Sequence, residues 1–197
     1  MNPSAFTRMA MLTLQRPDRA IAMMRGLQLP MADRWAALAL ATVLSSILAG
    51  LANLMFPSQA GGASALLVAS PIVLTVLQFF ALTAAAALMA RVGQMFGGHG
   101  NFPDALLALT WIDLIIIAAQ AVQLALMVVL PSASTMLSLA TLALYVVLAV
   151  RVTTALHGFS NPFLVALGMV STLMLTGAVL SVVLAMLGLL PAPEALP

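Results

Sequence analysis

The chain has 197 residues, of which 63% are hydrophobic and only 6% charged, and its net charge is +2. Soluble domains carry about 25% charged residues, so this chain lacks the polar surface to cover a globule, and the composition specifies an integral membrane protein. All seven basic residues are Arg, too few and too scattered for a nucleic-acid footprint, and with no Cys there are no disulfides, thiolate nucleophiles or Cys-ligated metals.

Residues 1–33 contain Arg8, Arg16, Arg19 and Arg25, together with the helix-breaking Pro17 and Pro30. They are expected to stay outside the bilayer as an Arg-rich arm. Between the prolines, the stretch from Asp18 to Leu29 sets Ile21, Met24 and Gln28 roughly in line. That pattern fits a short helix on the membrane surface, and a frayed polar arm fits the same residues. The first long apolar run begins only after Asp33-Arg34, too late for a cleaved signal peptide.

Residues 34–190 hold five apolar segments, roughly 35–56, 65–90, 105–130, 135–156 and 163–190. Each is long enough to cross a hydrocarbon core that needs about 20 helical residues. Pro71 either kinks the second segment or marks its late start. The first connection, from Pro57 to Gly62, and the third, from Pro131 to Ser134, carry no charge. Arg91 flanks the second connection and Arg151 the fourth, so all the arginines fall on one side and the positive-inside rule makes that side cytoplasmic. The expected fold class is all-α: a polytopic membrane protein with five transmembrane helices, its amino terminus cytoplasmic, and a short external tail at 191–197.

The second and fourth connections share a grammar. Gly98-His99-Gly100-Asn101-Phe102-Pro103-Asp104 opens the third span, and His157-Gly158-Phe159-Ser160-Asn161-Pro162 opens the fifth. In both, glycine ends one helix while Asn or Ser caps the next, with Pro in its first turn. Asn101 and Asp104 have the spacing of a capping box, Asp replacing the usual Glu. The two hairpins read as a weak internal repeat in the same orientation.

The run Gly97-Gly98-His99-Gly100-Asn101-Phe102-Pro103-Asp104-Ala105 resembles the Gly-Gly-x-Gly-x-Phe-x-x-Ala loop of the Ypt-interacting protein (YIP) family. His157-Gly158-Phe159-Ser160 resembles that family's second hallmark, and Leu14 to Ala20 resembles the arginine-proline entry of its bacterial members. The resemblance implies a non-enzymatic membrane scaffold or interaction protein. Eukaryotic members sit in Golgi and endoplasmic-reticulum membranes and bind prenylated Rab-type GTPases and one another. Here a short Arg-rich arm stands where those members have a long amino-terminal region, so GTPase binding is not carried over. Arg without Lys, with heavy Ala and Leu usage, suggests a GC-rich bacterial gene, hence the bacterial inner membrane. The partners expected are the lipid bilayer and other membrane proteins or a second copy.

Asp113 lies nine residues beyond Asp104, about 14 Å into the third span. A carboxylate at that depth costs about 2.5 to 3.5 kcal/mol on insertion scales, so it is expected to face protein or water. Thr110 and Gln120 share its helical face and Gln123 lies close by, a polar stripe expected to point inward. Arg151, about 9 Å from the cytoplasmic end of the fourth span, is the expected ion-pair partner, because side chains on antiparallel helices lean toward each other. Snorkelling by Arg151, or a protonated and hydrogen-bonded Asp113, are the alternatives. A small transporter or channel subunit working through Asp113 is the rival function.

His99 and His157 form a poor metal site, with only Asp104 as a further ligand, and neither metal nor cofactor is expected. No nucleophile elbow, His-Glu-x-x-His or phosphate-binding loop is present. Gly168, Thr172 and Thr176, then Gly177, Ser181 and Ala185, form small-residue ridges on the fifth span, and Ser46 and Gly50 form one on the first. Such ridges allow close helix packing, within the bundle or between copies.

Overall fold

The computed structural model describes residues 2–56 and 70–186. Among them the chain forms α1 (Pro3–Gln15), α2 (Pro17–Gly26), α3 (Met31–Met55), α4 (Pro71–Met95), α5 (Phe102–Val129), α6 (Pro131–His157) and α7 (Pro162–Met186), and no strand. Helices α3 to α7 are each long and apolar enough to cross a membrane. At about 1.5 Å per residue, 25 residues extend about 37 Å against a hydrocarbon core of about 30 Å. The molecule is an all-α multi-pass membrane protein.

Proline sets most of the helix starts. Pro3, Pro17, Pro71, Pro103, Pro131 and Pro162 stand in first turns, and Pro30 is the N-cap of α3. The first-turn N–H groups have no intrahelical acceptor, so a residue lacking one loses nothing there, and its fixed φ already suits a helix. Pro71 is therefore a start and not a kink. Pro131 follows directly on Leu130, so the expected loop from Pro131 to Ser134 is instead the first turn of α6. The expected first connection, from Pro57 to Gly62, the beginning of the second segment before residue 70, the end of the fifth beyond 186 and the tail lie outside the described residues.

Helix α5 is the centre of the bundle, packing against α3, α4 and α6, while α7 packs chiefly on α6. Its buried residues run from Ala105 to Ile116 and go no further. Leu106 and Ile112 meet Ala86 and Ala90 of α4, Leu38 of α3, and Leu148, Val152 and Leu156 of α6 in one cluster. The packed core thus occupies the end of the bundle where α4 turns into α5 and α6 into α7. Away from it, the apolar surfaces are exposed and belong to lipid.

The arm is helical and packed. Ala20, Ile21 and Met24 of α2 are buried, as the alignment of Ile21 with Met24 anticipates. Gln28 is not on that face, because α2 ends at Gly26 and Gln28 takes a positive φ of 44°. Helix α1 runs beside the spans. Trp111, about 14 Å along α5, donates its indole N–H to Thr13 Oγ at 2.9 Å and holds the Phe6 ring at 5.2 Å.

The small-residue ridges divide. Ser46 bonds Thr75 at 2.5 Å, and Pro71 Cγ lies 3.6 Å from where a side chain on Gly50 would begin, so that ridge joins α3 to α4. On α7, side chains at Gly168 and Gly177 would meet nothing within 4 Å among the described residues, so neither glycine serves packing between them.

Replacing Trp111 by Phe keeps the ring and removes the N–H that reaches α1. The expected cost is about 1 kcal/mol, confined to the arm, because Thr13 still donates to the Met9 carbonyl at 2.8 Å. Amide exchange of residues 3–15 should quicken about fivefold with α5 unchanged. An unchanged α1 would show that this contact does not hold the arm.

Candidate functional site

Both hairpin motifs lie at the packed end of the bundle, and their backbones match. Helix α4 ends with Gly97 at φ +83° and a bond from Gly98 N–H to the Gly93 carbonyl at 2.9 Å. Helix α6 ends with Gly158 at φ +73° and a bond from Phe159 N–H to the Thr154 carbonyl at 3.0 Å. Both are Schellman-type closures, in which the left-handed residue falls to glycine because a Cβ would be strained there. The next helix is then capped by asparagine. Asn101 Oδ1 accepts from Asp104 N–H at 2.8 Å, and Asn161 Oδ1 from Phe163 N–H at 2.9 Å.

His157 joins the two hairpins. The residue is 2% exposed, and its Nδ1 accepts the Gly100 N–H at 3.1 Å. A nitrogen that accepts from a backbone N–H carries no proton, so the neutral ring holds its proton on Nε2 and donates it to the Met89 carbonyl at 3.0 Å. The backbone adds a bond from His99 N–H to the His157 carbonyl at 3.3 Å. Gln94 donates its amide N–H to the Gly100 carbonyl at 2.8 Å, and the Phe159 ring stacks on the imidazole at 5.3 Å.

Glycine makes room for this ring. Side chains at Gly93 or Gly98 would run into the imidazole, and at Gly100 a Cβ would stand 2.7 Å from Cε1. The motif glycines are therefore of two kinds. Gly97 and Gly158 are needed for their backbone angle, and Gly98 and Gly100 for the space they leave. Gly93 belongs to the cradle and was not singled out from the sequence, because it looks there like an ordinary glycine near a helix end. With both ring nitrogens bonded to backbone groups, His157 has none to offer a metal. No group of three potential ligands occurs among the described residues.

Asp104 is the electrostatic centre. Its Oδ2 meets Arg25 Nε at 2.8 Å and its Oδ1 meets Arg34 Nη1 at 3.0 Å, with the Asp104 and Arg34 side chains only 13% and 9% exposed. Arg25 Nη2 also donates to the Leu156 carbonyl at 3.2 Å, and Arg34 Nε to the Leu29 carbonyl at 3.0 Å. One carboxylate thus ties α2 and α3 to α5, and through Arg25 to the end of α6. The expected capping box is only half made: Asn101 caps the helix, while the Asp104 carboxylate serves the two guanidiniums and does not reach back.

The expected ion pair between Asp113 and Arg151 is not formed. Arg151 is exposed and donates from Nη1 to the Leu14 carbonyl at 2.6 Å. Leu14 lies in the last turn of α1, where carbonyls lack intrahelical partners and a cation is favoured, and α1 has no basic residue of its own there. With the arm expected outside the bilayer and no helix expected over residues 3–15, this acceptor could not be foreseen. Asp113 keeps a buried Oδ2 without a hydrogen-bond partner among the described residues.

The polar stripe is likewise split. Thr110 is buried and bonds the Leu106 carbonyl at 2.8 Å, and Gln123 bonds Ser138 at 2.5 Å, but Gln120 is exposed. Among the remaining motif residues, Phe102 packs its ring 5.9 Å from Trp35, and Ser160 is exposed.

In comparison with known proteins, the Yip1 domain profile matches residues 11–189. No curated protein and no solved structure matches the chain.

The cradle predicts a pattern of alanine substitutions. Gly93→Ala should cost about 1 to 3 kcal/mol by overpacking against the imidazole, whereas Gly26→Ala, with nothing within 4 Å, should change stability by less than about 0.5 kcal/mol. In a His157→Ala background, Gly93→Ala should lose most of its cost. Thermal unfolding of the native chain and the four variants in detergent measures this, and strictly additive losses at Gly93 and His157 would contradict the cradle.

Proposed function

The chain belongs to the Yip1 domain family, and from that premise we propose that it is a non-enzymatic scaffold or interaction protein of the bacterial inner (plasma) membrane. Its amino terminus and both glycine-rich hairpins lie on the cytoplasmic side in this reading. The observation that carries it is how the motif side chains are used. The faces of Gly98 and Gly100, both nitrogens of His157 and both oxygens of Asp104 are taken up in joining two hairpins and an arm. Motifs engaged in this way support a fixed platform at the membrane surface. Arginines at the arm, at the end of α4 and near the end of α6 support the cytoplasmic assignment. Partners of this reading are other membrane proteins or a second copy meeting α7, where Gly177, Ser181 and Ala185 are exposed.

One observation favours a second reading, a small transporter or channel subunit. The buried Oδ2 of Asp113, without a partner among the described residues, lies well inside a span, where an ionisable group is costly and commonly functional.

Two measurements test these readings. Because the chain has no native Cys, single cysteines report topology cleanly: Met95→Cys should react from the cytoplasmic side and Leu130→Cys from outside, and the reverse would invert the orientation. In vesicles under a pH gradient, the scaffold reading expects proton flux equal to that of empty vesicles for both the native chain and Asp113→Asn. Flux that is present and falls about tenfold or more in Asp113→Asn would establish the transporter reading instead.

A further inference from the structure

Where the arm meets the bundle, the start of α2 and the end of α6 border an open groove of about 390 Å³, lined among others by Pro17, Asp18, Arg151, Thr154 and Phe159. It carries charges of both signs. Arg151 gives one N–H to the Leu14 carbonyl and is otherwise exposed, and a guanidinium has five donors in a planar fork. Asp18 is exposed and forms neither an ion pair nor a hydrogen bond with any described residue. The two line one groove without neutralising each other.

The depth of Arg151 narrows what can fill the groove. Arg151 stands about 9 Å along α6 from His157, on a 27-residue helix only about 10 Å longer than the hydrocarbon core is thick. It therefore lies at the margin of the hydrocarbon, the level of the lipid phosphates, which a guanidinium binds bidentately. One turn deeper on the same face, Val147 is exposed, an apolar surface suited to acyl chains. A phosphate alone would leave Asp18 unanswered and repelled. A headgroup bearing both a phosphodiester and a primary ammonium, two carbons apart, satisfies both charges, and the Phe159 ring at the groove edge favours the cation further.

We propose that this groove binds the headgroup of an aminophospholipid such as phosphatidylethanolamine, with Arg151 holding the phosphodiester and Asp18 the ammonium. The source of the headgroup is the surrounding bilayer and not a dissolved phosphoester. Phosphatidylcholine fits less well, because its quaternary ammonium has no N–H to give Asp18. Phosphatidylglycerol offers the phosphate but no cation.

The test uses the full chain in nanodiscs of phosphatidylcholine containing a minority of phosphatidylethanolamine or phosphatidylglycerol, with retained lipid read by native mass spectrometry. Phosphatidylethanolamine should be retained about tenfold above its bulk share relative to phosphatidylcholine, the worth of one charge-assisted bond. Asp18→Ala, which breaks no hydrogen bond or ion pair with a described residue, should abolish that preference without reducing retention of phosphatidylglycerol. Arg151→Gln should lower retention of both lipids. If Arg151→Gln also loosens α1, Asp18→Ala still decides. Enrichment that is absent in the native chain, or that survives Asp18→Ala, overturns the site. Displacement of the retained lipid by dissolved phosphoethanolamine overturns the lipid as its source.

Discussion

His157 sits where two hairpins of the chain must meet, and the neighbouring sequence gives up side chains to let it in. The ring accepts from Gly100, donates to Met89 and lies where side chains on Gly93, Gly98 and Gly100 would collide with it. Two helix ends close to the membrane surface expose carbonyls and N–H groups that neither lipid nor the helices can satisfy. An imidazole solves part of this, because a single neutral ring accepts the loop N–H of Gly100 while its other nitrogen anchors it on the Met89 carbonyl within α4. The bond from His99 N–H to the His157 carbonyl adds a backbone link between the same loops. The histidine of one hairpin and the glycines of the other are thus one device divided between distant stretches of sequence.

Charge compensation builds outward from that joint. Asp104 would be expensive beside a bilayer if unpaired, and Arg34, nearly buried, even more so. Held together with Arg25, they fix the arm and the first span against the start of α5. Guanidiniums also satisfy backbone carbonyls: Arg25 at Leu156 and Arg151 at Leu14, both in last helical turns, and Arg34 at Leu29 between α2 and α3. In a chain with so few charges, arginine serves as a cap for helix carboxyl ends as well as a topology signal.

Much of this was legible in the sequence. Five apolar segments of bilayer length, proline at helix starts and glycine at helix ends follow from composition and local backbone rules, and the spans agree with the structure to within a few residues wherever both are described. The likeness of the two hairpins was visible too, and it holds in three dimensions down to the same closing bond. What sequence could not supply was pairing across distance. Asp113 and Arg151 are matched by charge and approximate depth, yet depth leaves open which face of a helix a residue occupies. Arg151 faces outward, toward an arm expected outside the bilayer and not packed on the spans. Asp104 read as a local cap because its spacing from Asn101 is a local signal, while its partners stand 79 and 70 residues away.

The central claim is that the glycine-rich motif and the histidine motif form a single structural joint. Nitrogen-15 NMR of ring-labelled His157 in lipid nanodiscs tests it most directly. A neutral ring protonated on Nε2, with a coupling across the hydrogen bond from the Gly100 N–H to Nδ1, is the predicted result. A proton on Nδ1, or a ring that exchanges freely between tautomers, would contradict it.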